Sequence, residues 1–405
     1  MALKSSTRTR IAVLVSAAAT SALLGTLATV PAQAAPTATG TVLAADSPTA
    51  VPGSYIVTLK SGAGFSAASV QGKGLIAGHG GKVSKTFSHA LNGYAAQLTA
   101  AQARKLAAHP AVASVEQNQI VRSDATQTNA PWGLDRIDQP NLPLNGTYTY
   151  PDSAGSGVTA YVIDTGVRIS HREFGGRAVN GYDAVQNDNV AQDGNGHGTH
   201  VATTIAGATY GVAKKARVVA VRVLDNNGSG TTAGVIAGID WVTANHQAGV
   251  PAVANMSLGG GASSTLDAAV RRSIADGITY AIAAGNSGVN AANTSPARVT
   301  EGITVGATSN TDAKASWSNF GSVLDLFAPG VNITAGWYTS DTATNTISGT
   351  SMAAPHVAGA AAVYLAGHTS ASPAQVATAL VNGAVNNKVT SPGSGSPNKL
   401  LQIVP

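Results

Sequence analysis

Apolar and polar positions divide the chain into two textures. In the first, SYIVTLK (54–60) alternates apolar and polar side chains with the period of two that suits a half-buried strand. SAASVQGKGLIAGHGG predicts a helix and a glycine-rich turn, KVSKTFSHALNGYAAQLT a hairpin-like pair of strands, AAQARKLAAHP a short helix stopped by Pro110, and AVASVEQNQIV a last strand. That order predicts a small α+β domain of about the minimum size that folds alone. From Trp132 the texture changes. VTAYVID, ARVVAVRVL, PAVANMSL, ITYAIAAG and GITVGA are short apolar runs rich in β-branched residues. Helical patterns such as TTAGVIAGIDWVTANHQ and TLDAAVRRSIADG separate them. Buried runs alternating with helices predict an α/β fold around a parallel sheet, with functional groups at the C-terminal ends of strands.

Ahead of both textures lie a basic run, MALKSSTRTR, an apolar small-residue stretch, IAVLVSAAATSALLGTLATV, and a small-x-small AQA at Ala32–Ala34. This is the layout of a signal peptide over residues 1–34, and it predicts secretion without stable membrane association. APTATGTVLAADSPTAVPG reads as a linker and the polar RSDATQTNAP as a cleavable junction. The expected division is therefore a signal peptide 1–34, an N-terminal segment 35–124 folded over about 55–121, and a large domain 125–405. Cysteine is absent, so stability rests on the core and on any bound metal. The net charge of +5 invites a nucleic-acid reading, but the charge is unevenly placed. Residues 1–124 hold ten of the 24 Lys and Arg against three acidic residues, which leaves 14 basic and 16 acidic residues in 125–405. Removing the first third removes the basic footprint, and nucleic acid is excluded as a partner of the large domain.

Three segments place a reactive residue where a strand ends or a helix begins. YVIDTGV ends a strand on Asp164, GNGHGTHVA sets His197 between glycines at a helix start, and SGTSMAAPHVAG opens a small-residue helix on Ser351. One Asp, one His and one Ser so placed are the parts of a nucleophilic triad. Glycines beside His197 and before Ser351 are expected to leave room for a substrate. A fourth segment, AIAAGNSG, ends a strand near Asn286, whose amide is suited to stabilising an oxyanion.

VIDTGV, HGTHVA, AAGN and GTSMAAPHVAG, in the order Asp, His, Asn, Ser, resemble the signature blocks of the subtilisin-like serine proteases. PWGLDRID, VLDNNGSGTTAGVIAGIDWV, NMSLGGG, SPARVTEGITVGAT and SNFGSVLDLFAPG narrow the resemblance to the proteinase K and aqualysin-like branch over 125–405. Residues 55–121 resemble the family's inhibitory propeptide, of the inhibitor I9 type. The resemblance implies a three-layer α/β domain with a mainly parallel sheet flanked by helices, preceded by a ferredoxin-like α+β propeptide. It implies a secreted serine endopeptidase, made as a zymogen and matured by autocatalysis, with protein and peptide substrates. Its own propeptide would serve as intramolecular inhibitor, and the enzyme is expected to be a monomer. Asp164, His197 and Ser351 take the triad roles, and Asn286 with the Ser351 backbone N–H the oxyanion hole. Ser257, Leu258, Gly259 and Gly260 with Ala283, Ala284 and Gly285 correspond to walls of the pocket for the side chain before the scissile bond. Asn227, Gly228, Ser229 and Gly230 correspond to an edge that binds substrate as an added strand. These small or apolar residues imply a broad preference for apolar or aromatic side chains.

The same resemblance implies structural calcium at Asp325 with the carbonyls of Thr300 and Gly302, and a weaker second site at Asp135, Asp138 and Gln139. No organic cofactor is implied. The histidine pair in HGTH lacks the Glu and the i, i+4 spacing of H-E-x-x-H, so His200 is expected to be structural, as are His171 and His356. GTSMA lacks the second glycine of G-x-S-x-G, which argues against an α/β-hydrolase. Two departures stand out. Thr203 replaces the glycine of the usual H-V-A-G-T, and a β-branched residue there is expected to shift the helix carrying His197. The alignment favours propeptide cleavage between Asp124 and Ala125, although Asp124 suits an apolar pocket poorly, so a first cut near Val121 is the alternative.

Overall fold

The computed structural model describes residues 38–47, 50–119 and 124–404, in two compact units divided after Ile120. The signal-peptide residues 1–34 and the alternative cleavage point near Val121 lie outside the described residues.

In the first unit the strands Ala50–Leu59, Lys82–Phe87, Gly93–Gln97 and Val112–Gln119 pair antiparallel. Numbered along the chain, they stand in the spatial order four, one, three, two, the ferredoxin-like arrangement. The helices Val70–Gly78 and Ala100–Ala107 share one core with this sheet through Ile76, Ala103, Leu106, Val57 and Tyr94. Thr99 and Gln102 close a capping box on the second helix. The stretch read as a linker is not wholly one: Val42–Leu43 adds a short parallel strand beside Val112–Gln119, with Val42 against the core.

In the second unit the five apolar runs become strands β1 (Thr159–Asp164), β3 (Arg217–Arg222), β4 (Ala252–Met256), β5 (Thr279–Ala283) and β6 (Ile303–Thr308), and the structure adds β2 (Ala178–Asp183) and β7 (Leu326–Pro329). Their spatial order is β2-β3-β1-β4-β5-β6-β7, all parallel. Lys399–Leu400 adds in parallel, and Val385–Asn386 closes the nine-stranded sheet antiparallel. A separate hairpin, β8 (Ile333–Gly336) with β9 (Thr344–Ile347), lies outside the sheet.

Both faces of the sheet are buried, which is why its strands read as continuous apolar runs. Ala160, Val162, Val218 and Ala220 face one core with helices α1 (His197–Ala206), α4 (Thr350–Gly367) and α5 (Pro373–Gly383). The alternate residues Tyr161, Ile163, Val219 and Val221 face the other core with α2 (Thr232–Asn245) and α3 (Ser264–Ala275). The result is the expected three-layer domain. Chain order reverses about β1, which therefore lies at the switch point, and its C-terminal residue is Asp164.

Candidate active site

Asp164 is fully buried at the end of β1. Its Oδ1 accepts hydrogen bonds from His197 Nδ1–H and from the Thr165 N–H, each at 2.7 Å. Oδ2 has no partner among the described residues. The carboxylate thus fixes the tautomer that leaves His197 Nε2 free to accept a proton. Burial alone would lower the His197 pKa. The charge of Asp164, its hydrogen bond and the charge of Asp193 outweigh burial and hold the pKa above the ordinary histidine value.

His197 is the first residue of α1, and the glycines around it serve packing rather than substrate clearance. Gly196 has a φ of 112°, and a Cβ there would sit 2.4 Å from the Trp337 ring. A Cβ on Gly198 would lie 2.1 Å from the Gly166 carbonyl oxygen, where α1 crosses the end of β1. At Gly349 a Cβ would make only ordinary contacts, 3.5 Å from the Ser351 N and 3.6 Å from the Asn286 amide, so packing does not require glycine there.

The start of α1 is tied down by Asp193, a residue the sequence did not single out. Its buried carboxylate accepts from the N–H groups of Asn195, Gly196 and Thr199 and from the hydroxyls of Thr165 and Thr199. Thr165 Oγ1 in turn accepts the Gly198 N–H at 2.9 Å. Its only sequence signal was a carboxylate four residues before a histidine at a helix start.

Ser351 lies in the first turn of α4, where its N–H has no intrahelical acceptor. Its hydroxyl donates to the Ser257 carbonyl oxygen at 3.2 Å, the one hydrogen bond it makes among the described residues. Ser257 Oγ donates to the Ser351 carbonyl at 2.7 Å and accepts from buried Asn255 at 2.8 Å, so a polar chain from β4 supports the serine. Asn286 is exposed, and its Oδ1 accepts both the N–H and the hydroxyl of Thr350, at 2.9 and 2.8 Å. Spending the oxygen this way leaves the amide N–H₂ for the site. Asn255 and Thr350 were also missed.

Two clefts meet at Leu258, Gly259, Gly260 and Gly261. One, of about 570 Å³, is lined by His197, the exposed Asn227–Gly230 turn and Ser257. The other, of about 340 Å³, is lined by Ala283, Ala284, Gly285, Asn286, Asn319 and Ser351, and carries no charged side chain. Asn319 holds the 284–289 turn by donating to the Ala284 carbonyl and accepting the N–H groups of Ser287 and Val289.

The three histidines expected to be structural are bonded to backbone. His200 Nε2 meets the Ile333 carbonyl at 2.9 Å and His356 Nδ1 that of Met352 at 2.8 Å, and burial lowers both pKa values to about 4. His171 Nε2 meets the Ala343 carbonyl. Thr203 leaves α1 unbroken, because its hydroxyl and methyl are received by Gly336.

Among the described residues no group of three or more His, Cys, Asp or Glu is placed to hold a metal. Asp325 has burial pushing its carboxyl up to about 6, and one backbone N–H, of Thr304, lowering it. Such a carboxylate suits a hard cation; Thr300 and Gly302, the carbonyl donors expected beside it, immediately precede β6, and Thr304 of β6 bonds Asp325. The second site fits less well. Asp135 spends both oxygens on the N–H groups of Asn145 and Gly146, and the Gln139 amide donates to the carbonyls of Asn141 and Pro143. Only Asp138 keeps a buried oxygen without a partner, and burial raises its carboxyl to about 6. Asp124 and Ala125 belong to a strand, Asp124–Thr128, paired antiparallel with Thr147–Pro151. The junction is therefore exposed in part but not irregular.

A buried Asp–His pair at the switch point, a serine at a helix start and an oriented amide are the parts that a nucleophilic-serine hydrolase uses. Comparison with known proteins names the family. Residues 155–399 match the Subtilase family, and residues 54–124 match Peptidase inhibitor I9. The "Extracellular serine proteinase" of Thermus sp. (strain Rt41A) is 52% identical over 91% of this chain and 93% of its own length. The "Alkaline serine exoprotease A" of Vibrio alginolyticus is 55% identical over 79% of this chain and 60% of its own length. The crystal structure of a cold adapted subtilisin-like serine proteinase superposes with a TM-score of 0.66 at 56% identity, covering 69% of this chain and all of that one. The chain belongs to the subtilase family: it is a subtilisin-like serine endopeptidase with an I9 propeptide domain.

Proposed function

We propose that the chain is a secreted, self-processing endopeptidase of broad specificity, with apolar or aromatic side chains preferred before the scissile bond. The observation that carries the reading is the 2.7 Å hydrogen bond from His197 to buried Asp164, which leaves Nε2 as a base above the ordinary histidine pKa. Ser351 Oγ gives its proton to His197 Nε2 as it attacks the substrate carbonyl. The hydroxyl first turns away from the Ser257 carbonyl. The oxyanion is met by Asn286 Nδ2 and the Ser351 N–H. His197 then protonates the leaving amine, and water, deprotonated by the same histidine, releases the acyl group. The uncharged cleft beside Ser351 supports the preference for apolar side chains, since nothing in its lining would pair with Lys or Arg.

In this reading residues 1–34 direct secretion and 35–124 form the propeptide. The propeptide inhibits the monomeric enzyme until cleavage between Asp124 and Ala125 and its own degradation release activity. Extracellular relatives support secretion, and among the described residues no helix is long and apolar enough to cross a membrane. Calcium at Asp325, Thr300 and Gly302 would neutralise a buried carboxylate and hold the chain between β6 and β7 together; Asp135, Asp138 and Gln139 are the second candidate. The test is Ser351→Ala beside the wild type in one secreting host. Wild type is expected as a form beginning near Ala125 that digests an unfolded protein, and the variant as an uncut, inactive precursor. A variant processed and active like wild type would overturn the reading.

A further inference from the structure

We propose that Thr203 is a positioning residue for the general base, coupling α1 to the β8–β9 hairpin so that His197 keeps its register with Asp164. The inference rests on the catalytic reading of His197. Thr203 is fully buried, six residues after His197 in the same helix. Its Oγ1 donates back to the Thr199 carbonyl at 2.9 Å and accepts the Gly336 N–H of β8, also at 2.9 Å. A glycine at 203 would leave that buried N–H without its acceptor. The methyl group has a counterpart too. A Cβ on Gly336 would lie 2.7 Å from Thr203 Cγ2 and 3.0 Å from the His171 ring, so the missing side chain at 336 is the space the threonine fills.

The contact reaches His197 through the geometry of the helix. Gly196, His200 and Thr203 lie on one stripe of α1. Each meets the hairpin. Trp337, next to Gly336, covers Gly196 and stands edge-on to the His200 ring at 6.3 Å. His200 Nε2 reaches the Ile333 carbonyl at the start of β8. The far side of the hairpin is held by His171 on the Ala343 carbonyl and by the Arg172 N–H on that of Asp341. Asp193 and Thr165 fix the first turn of α1 to β1, and Thr203 fixes the second turn to β8. Helix rotation is blocked at both. The groups whose charge His197 feels are Asp164 on β1, Asp193 before α1 and His200 on α1 itself.

The test compares wild type, expressed as the full chain and self-matured, with Thr203→Val, Thr203→Ser and Gly336→Ala, each standardised by titration with a serine-directed phosphonate so that only competent sites are counted. kcat and KM are measured on one peptide substrate across pH, with Ser351→Ala as control. Thr203→Val is expected to lose about tenfold in kcat with KM within about twofold, the size of a small misplacement of a catalytic group. Its acid limb should move to lower pH as the Asp164 hydrogen bond loosens. Thr203→Ser restores kcat and the limb, and Gly336→Ala reproduces the loss from the hairpin side. If Thr203→Val melts earlier but keeps wild-type kcat and acid limb, or Thr203→Ser is as impaired as Thr203→Val, the proposal is overturned alone. A Ser351→Ala control that turns over like wild type overturns it together with the catalytic reading.

Discussion

Asn286 shows how one side chain is prepared for a task by its neighbours. Two donors from Thr350 occupy its oxygen, so the amide hydrogens are the part left for an incoming oxyanion. Asn286→Ala is therefore expected to keep KM and to lose about a hundred- to a thousandfold in kcat. Steady-state kinetics on an amide substrate checks this, and an equal loss in kcat and gain in KM would contradict it. Residues proposed to act on substrate were the legible ones, because each sits at a strand end or helix start inside an unusual local string. Asp193 and Asn319 were not, because Thr165 and the 284–289 turn come close to them only on folding, nor was Asn255, whose partner Ser257 gains its meaning only once Ser351 is placed. A buried Asp before a Gly-Asn-Gly string reads as a turn former until the helix it caps is known.

The elements carry the same lesson at larger size. Strands β1, β3, β4, β5 and β6 were readable as apolar runs, and helices α2 and α3 as periodic ones; buried β7 was too short to read. Strand β2, AVNGYD, was not, since it lies at the sheet's edge and mixes exposure with polar residues. The β8–β9 hairpin was missed for a related reason: its strands are four residues each, only Thr344–Ile347 is largely polar, and its role is to grip α1. Thr203 looked like a fault within α1 when α1 was read alone, and becomes a contact once the hairpin is placed. The connection from β6 to β7 ends in Asp325, whose backbone N–H and side chain both bond Thr304. If a cation offsets this desolvated charge, chelation should lower the thermal midpoint of the mature enzyme. Asp325→Asn should melt alike with and without chelator. Equal sensitivity of Asp325→Asn and wild type, read by calorimetry, would remove Asp325 from the metal site.

At the scale of the molecule, the order of strands explains why distant strings form one site. Chain order reverses about β1, so the crevice opens where Asp164 ends, and α1 and α4 bring their first residues toward it from one face of the sheet. The first unit carries none of this chemistry, and in the proposed maturation the basic excess of residues 1–124 is removed. The absence of cysteine places the burden of stability on two cores and on polar clamps such as those around Asp193. The central claim is that Ser351, His197 and Asp164 act as one nucleophilic unit. Mass analysis of the mature protein after reaction with a serine-directed phosphonate tests it most directly. One adduct, mapped to Ser351 and forming more slowly as His197 is protonated at low pH, is the predicted result. An adduct on another serine, or full activity after Ser351 is labelled, would contradict it.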